Sequence, residues 1–155
     1  MNTHFSAPWS QKVRLITLGL VVALAFVSIK AGLLGVLLCV AILLGTAVFS
    51  VQGYSVAGGD LLVHRLGWAK RFSLAQASRV AFEPNATVGS VRTFGVGGLF
   101  GFYGRFRNAV LGSYTAYATD PSRTVVLELG GKTIVVTPDD PARFVAAVEQ
   151  GRGAA

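Results

Sequence analysis

The chain has 155 residues, 52% of them hydrophobic and only 14% charged, with fourteen Lys and Arg against seven Asp and Glu. A single cysteine, Cys39, excludes a disulfide framework and a cysteine metal cluster, and two histidines leave little material for a metal or nucleophile centre. So apolar a chain gives part of itself to the membrane, and enzyme chemistry is not expected of it.

An apolar stretch from Val13 to Val51 is interrupted by one charge, Lys30. At 1.5 Å per helical residue, a hydrocarbon core of about 30 Å needs about 20 residues, so the stretch holds two short spans or one re-entrant hairpin. The expected division is a first span over 13–29, a turn around Lys30 to Gly32, and a second span over 33–51. Cys39 falls inside the second span, where it serves as a small apolar side chain. Small residues recur at spacing four, as in Ala31 and Gly35, which favours close packing of the two spans.

Lys12 and Arg14 precede the first span and Lys30 alone sits in the turn, so the positive-inside bias places the N-terminus in the cytoplasm. Two spans then return the rest of the chain to the cytoplasm, in agreement with Arg65, Lys70 and Arg71 soon after the second one. A cleavable signal peptide fits less well. Lys30 stands where small residues should prepare cleavage, and a second apolar run follows at once.

The expected organisation is therefore a tail and transmembrane hairpin over 1–52, one domain over 53–150 and a short tail over 151–155. About 100 residues suit a single small core. Eleven of the fourteen basic residues fall in this remainder with all seven acids, a modest bias of about +4 that suits an anionic surface near a bilayer.

From Gly53 the pattern becomes short alternating runs separated by turn residues, which predicts antiparallel strands over 53–56, 61–66, 68–74, 79–82, 90–94, 101–107, 113–118, 124–129 and 132–136. Gly130-Gly131 is a two-residue hairpin signal, and Asp120-Pro121-Ser122-Arg123 a turn. The period changes again after Pro138. Asp140 as cap, Pro141 at the first position and Gly151 as stop delimit a helix, whose Phe144, Val145 and Val148 form an apolar stripe suited to covering the open end of a small barrel.

The run from Val91 to Phe106 (VRTFGVGGLFGFYGRF), the run from Leu111 to Asp120 (LGSYTAYATD), and Thr137-Pro138-Asp139-Asp140-Pro141 with Phe144 resemble the bacterial PH-domain family of small membrane proteins. The resemblance covers nearly the whole chain. It implies a transmembrane hairpin before a mainly-β PH-like barrel of two antiparallel sheets closed by a C-terminal α-helix, in the bacterial inner membrane as a multi-pass protein. It implies no activity and no cofactor, and PH-like folds host lipid, peptide and protein binding alike. The basic cluster of phosphoinositide-binding relatives is matched only loosely by His64, Arg65, Lys70 and Arg71.

The glycine-rich segment from Gly95 to Gly104 has neither phosphate-loop spacing, and its interleaved aromatics suit bent strands. Gly130-Gly131-Lys132-Thr133 resembles the tail of a nucleotide loop, but Val126 stands where its first glycine belongs, so it reads as a hairpin. Asn85-Ala86-Thr87 is a chance sequon on a cytoplasmic domain. Arg105 and Arg107 share a strand face with Tyr103 while Phe102 and Phe106 point into the core. Arg92 is expected to pair with Asp120 or Glu83, His4 to lie in the tail, and His64 to occupy an ordinary strand position.

These readings give a non-enzymatic integral membrane protein that tethers a cytoplasmic PH-like domain and binds a protein partner. The alternatives are anionic phospholipid or small-ligand binding through Arg65, Lys70, Arg71, Arg105 and Arg107, and an accessory subunit of a membrane complex docking through Trp68 or a strand edge. No catalytic residue, metal, cofactor or nucleic-acid partner is expected.

Overall fold

The computed structural model describes residues 3–153. Four strands, β1 (Thr3–Ser6), β2 (Val51–Ala57), β3 (Asp60–Arg65) and β4 (Trp68–Ser73), form an antiparallel sheet in chain order. Six more, β5 (Ala77–Phe82), β6 (Val91–Gly97), β7 (Phe102–Asn108), β8 (Gly112–Ala118), β9 (Val125–Leu129) and β10 (Lys132–Val136), form a second sheet ordered β5-β9-β10-β8-β7-β6. The helices are α1 (Gln11–Val48) and α2 (Pro141–Gly153).

β1 was not foreseen. The segment expected as a tail pairs with β2, with His4 opposite Ser55 and Phe5 opposite Tyr54, and Phe5 is fully buried in the core. The first sheet is thus incomplete without residues that precede the helix.

α1 begins at Ser10, whose hydroxyl accepts a hydrogen bond from the Val13 N–H at 3.2 Å. Within the run only Gly32 leaves helical geometry, at φ 66° and ψ −158°, a conformation glycine adopts without steric cost. The Cys39 thiol donates to the Leu24 carbonyl at 3.4 Å. In a straight helix those residues would stand about 22 Å apart, so the run folds back on itself at Gly32. The sheet demands the same geometry: Ser6 lies opposite Gly53, so the chain returns beside the strand it left. The expectation of two separate helices over 13–29 and 33–51 is corrected. There is one helical run, Lys30 and Ala31 belong to it, and Phe49 caps it so that β2 can begin at Val51. A single glycine redirects the chain, so no separate turn is needed.

The main core lies between the two sheets and α2, and is built from Phe5, Tyr54, Leu61, Val63, Leu127 and Val136 with Phe144 and Val148 of the helix. Asp140 caps α2 by accepting from the Arg143 N–H at 3.0 Å, but the helix runs through Gly151 to Gly153. A smaller cluster of Phe106, Tyr114, Ala116, Val126 and Val135 fills the other face of the second sheet. The expected closed barrel is also corrected. The chain passes from β4 to β5 through a 3-10 turn over Leu74–Gln76, which ends one ladder before the next starts, and the sheets remain separate.

Gly95 and Gly104 face each other across β6 and β7 with φ near 117° and 127°, and a Cβ on either would run into the opposite backbone. Close strand approach accounts for these glycines.

Candidate functional site

β4 is the outermost strand of its sheet, so one edge of its backbone has no strand partner among the described residues. Its inward face carries Trp68, Lys70 and Phe72, aligned with Arg65, Val63 and Leu61 of β3. Across from it, the second sheet presents Tyr103 and Arg105 from β7 opposite Tyr117 and Thr115 from β8. An open groove of about 800 Å³ lies between these surfaces. Lys70, Arg105 and Lys132 line it, with Phe72, Phe94 and Tyr117 supplying apolar wall, and no carboxylate is among the lining residues.

The Lys70 ammonium stands 5.4 Å from the Phe72 ring centre and 5.8 Å from that of Tyr117. Its charge is held by ring faces, and among the described residues no acid forms an ion pair with it, so it stays available to an anion. Lys132 was missed as a candidate because consecutive strands read as a simple meander. In the structure β10 pairs in parallel with β8 as well as antiparallel with β9, and this crossover carries the residue after Gly130-Gly131 into the groove.

The five expected contact residues separate. Lys70 and Arg105 line the groove. Arg107 shares the Arg105 face two residues further along β7, outside the groove lining. Arg71 points away on β4, with its Nε 3.5 Å from an Asp60 carboxylate oxygen.

Arg65 sits at the junction with α1. Its guanidinium carbon lies 4.5 Å from the Trp68 ring centre, 5.1 Å from Tyr117 and 5.6 Å from Phe49, and its buried Nε has no hydrogen-bond partner among the described residues. Burial lowers its pKa, while nearby Tyr117 and Tyr103 oppose that shift. Burial likewise pushes the Tyr103 hydroxyl up to about 12. Tyr103 donates to the Thr46 carbonyl at 2.8 Å and the Trp68 indole N–H to the Val48 carbonyl at 3.3 Å, so both rings are tied to the last turn of α1. Trp68, offered above as a docking residue, therefore already has a partner within the chain.

Other expectations change. The Asp120 and Glu83 carboxylates face Arg123 at 3.6 Å and Arg79 at 2.5 Å, and neither is paired with Arg92. His4 is on β1, with its ring centre 5.7 Å from that of His64, and Ser55 Oγ lies 2.7 Å from His64 Nε2. Burial first, and the His4 charge second, lower the His64 pKa. Among the described residues no three His, Cys, Asp or Glu side chains gather as a metal site.

The sequence pattern of the bacterial PH domain matches residues 52–151, well over half of the chain. The chain belongs to the bacterial PH-domain family. No curated protein and no solved structure matches it. A PH domain is a non-catalytic interaction module, and its groove here is furnished with cations and aromatic rings. In this PH domain the matched region begins at β2, so β1 completes its first sheet from outside the matched segment.

Proposed function

We propose that this protein is a membrane-anchored interaction module: α1 crosses the bilayer and returns, and the PH domain over 53–150 receives an acidic segment of a protein partner in the groove beside β4. The observation that carries the binding reading is the grouping of Lys70, Arg105 and Lys132 along one groove without a carboxylate, next to an unpaired strand edge. An extended acidic segment would satisfy both, adding backbone hydrogen bonds to β4 and carboxylates to the cations. The anchor is supported by exposure. Of the 38 residues of α1 only Val13, Thr17 and Cys39 are buried, while Leu18, Phe26 and Leu34 are 62%, 65% and 79% exposed. An apolar surface of that extent needs lipid or protein around it.

Lys12 and Arg14 lie at the domain end of α1 and Lys30 at its fold, which supports a cytoplasmic domain in a bacterial inner membrane. Anchoring raises local concentration, so weak groove contacts can still be occupied. The test is a mild-detergent pull-down of the full-length protein beside a Lys70→Glu, Arg105→Glu, Lys132→Glu variant, read by mass spectrometry. A stoichiometric companion with an acidic segment, lost in the variant while the melting curve is unchanged, supports the reading. A companion retained equally by the variant overturns the groove, and anionic phospholipid as the one charge-dependent companion replaces the protein partner with a lipid surface.

A further inference from the structure

The β6–β7 tip, Gly97-Gly98-Leu99-Phe100-Gly101, is bound to α1 above its first turn. The Thr17 hydroxyl donates to the Gly98 carbonyl at 3.4 Å and accepts from the Phe100 N–H at 3.1 Å, and the Gly98 N–H donates to the Gly101 carbonyl at 2.9 Å. The Phe100 ring lies 5.8 Å from Trp9. No charged residue occurs between Arg92 and Arg105.

We infer that this tip enters the bilayer beside α1, so that the PH domain itself is seated in the lipid interface; the inference rests on the anchoring reading above. Leu15 and Leu18, on either side of Thr17 in the helix, are 69% and 62% exposed. Any bilayer position that covers both of them also covers the tip bonded to Thr17. Length requires the same. The apolar part of the arm, from Val13 to Ile29, is about 25 Å long against a hydrocarbon core about 30 Å thick, so crossing uses all of it, including the turn that holds the tip. Non-helical backbone is tolerated at that depth when its polar groups are satisfied within the protein, and Thr17 with the Gly98–Gly101 hydrogen bond supplies partners for the Gly98 N–H and C=O, the Phe100 N–H and the Gly101 C=O. Trp9, Phe49, Trp68, Tyr103 and Phe100 gather near the domain ends of the two arms, where an aromatic interfacial belt belongs. The second contact fixes how the domain stands on the membrane and hence how its groove is presented.

The test uses the full chain with Trp9→Phe and Trp68→Phe, reconstituted in phosphatidylcholine vesicles with or without bromine on the upper acyl chain. Single tryptophans are placed by Phe100→Trp, Val22→Trp and Val110→Trp. Bromolipid is expected to cause about a twofold or greater loss of fluorescence at positions 22 and 100, and none at 110, because the interfacial boundary lies within reach of the upper acyl bromines. Quenching at 22 without quenching at 100 overturns the tip insertion and leaves the anchor standing. No quenching at 22 overturns the anchor, and the tip insertion with it. Should Phe100→Trp fail to fold, a spin label at Gly97→Cys in a Cys39→Ala background gives the same reading, since Gly97 is exposed and its nearest neighbours stand 3.8 Å from an added Cβ. Oxygen access above that of a nickel chelate supports insertion, and the reverse overturns it.

Discussion

The two helices of this chain use apolar side chains in opposite ways. α2 confines its large apolar side chains to one stripe, with Phe144 and Val148 buried against the core, and exposes Arg143, Glu149, Gln150 and Arg152. α1 is apolar all round and buries almost none of it. Apolarity alone therefore does not say where a helix belongs; what matters is whether the protein supplies the covering surface. α2 is covered by the protein, and α1 is left almost wholly uncovered by it.

The largest effect that would sharpen this contrast is Phe144→Ala. Truncating a fully buried phenylalanine costs about 3–5 kcal/mol, and denaturant titration in detergent should show it. The comparable change in α1, Leu34→Ala, should leave the domain midpoint almost unmoved, since Leu34 touches little of the protein. A charge reverses the ranking. Val22→Asp puts an aspartate near the centre of the first arm, where insertion loses about 2.5–3.5 kcal/mol, so carbonate extraction should release more of the variant while domain stability holds.

Next comes a pH effect confined to the domain. Tyr54 is fully buried, donates to the Tyr117 carbonyl at 2.5 Å and accepts from the Thr137 N–H at 3.1 Å, and burial raises its pKa from 10.0 to about 12. The folded state holds this proton more tightly than the unfolded chain. Its contribution is therefore full below pH 10 and lost as pH rises from 10 toward 12, by about 3 kcal/mol. Tyr54→Phe should flatten the alkaline fall in stability over that window, and an unchanged profile would assign the fall to other groups. Smallest is Tyr103→Phe, which removes the hydrogen bond to Thr46 and should cost about 1 kcal/mol in detergent-solubilised protein.

The strands after the helix were legible because alternation and turn residues are local signals. Gly130-Gly131 links β9 to β10 as its composition demanded, and Asp140 caps α2 as its spacing suggested. β1 was not legible. Thr-His-Phe-Ser is too short to show a period, and it becomes a strand only because Phe5 completes a core whose other members, Ala7 apart, lie about fifty residues away or more. The groove was half legible for a related reason. Lys70 and Arg105 stood out by charge, but Lys132 joins them through the parallel β8–β10 pairing, which no local pattern announces. Arg71 and Arg65 looked equivalent to Lys70 in sequence. A strand's two faces and the aromatic rings around Arg65 separate them.

The central claim is that α1 crosses the bilayer and returns, and labelling its fold tests this most directly. In a Cys39→Ala background, Lys30→Cys and Val110→Cys variants would each be exposed to a membrane-impermeant maleimide, in intact spheroplasts and again after lysis. The account predicts that Lys30→Cys reacts in intact spheroplasts and Val110→Cys only after lysis. Labelling of both positions from the same side would contradict it.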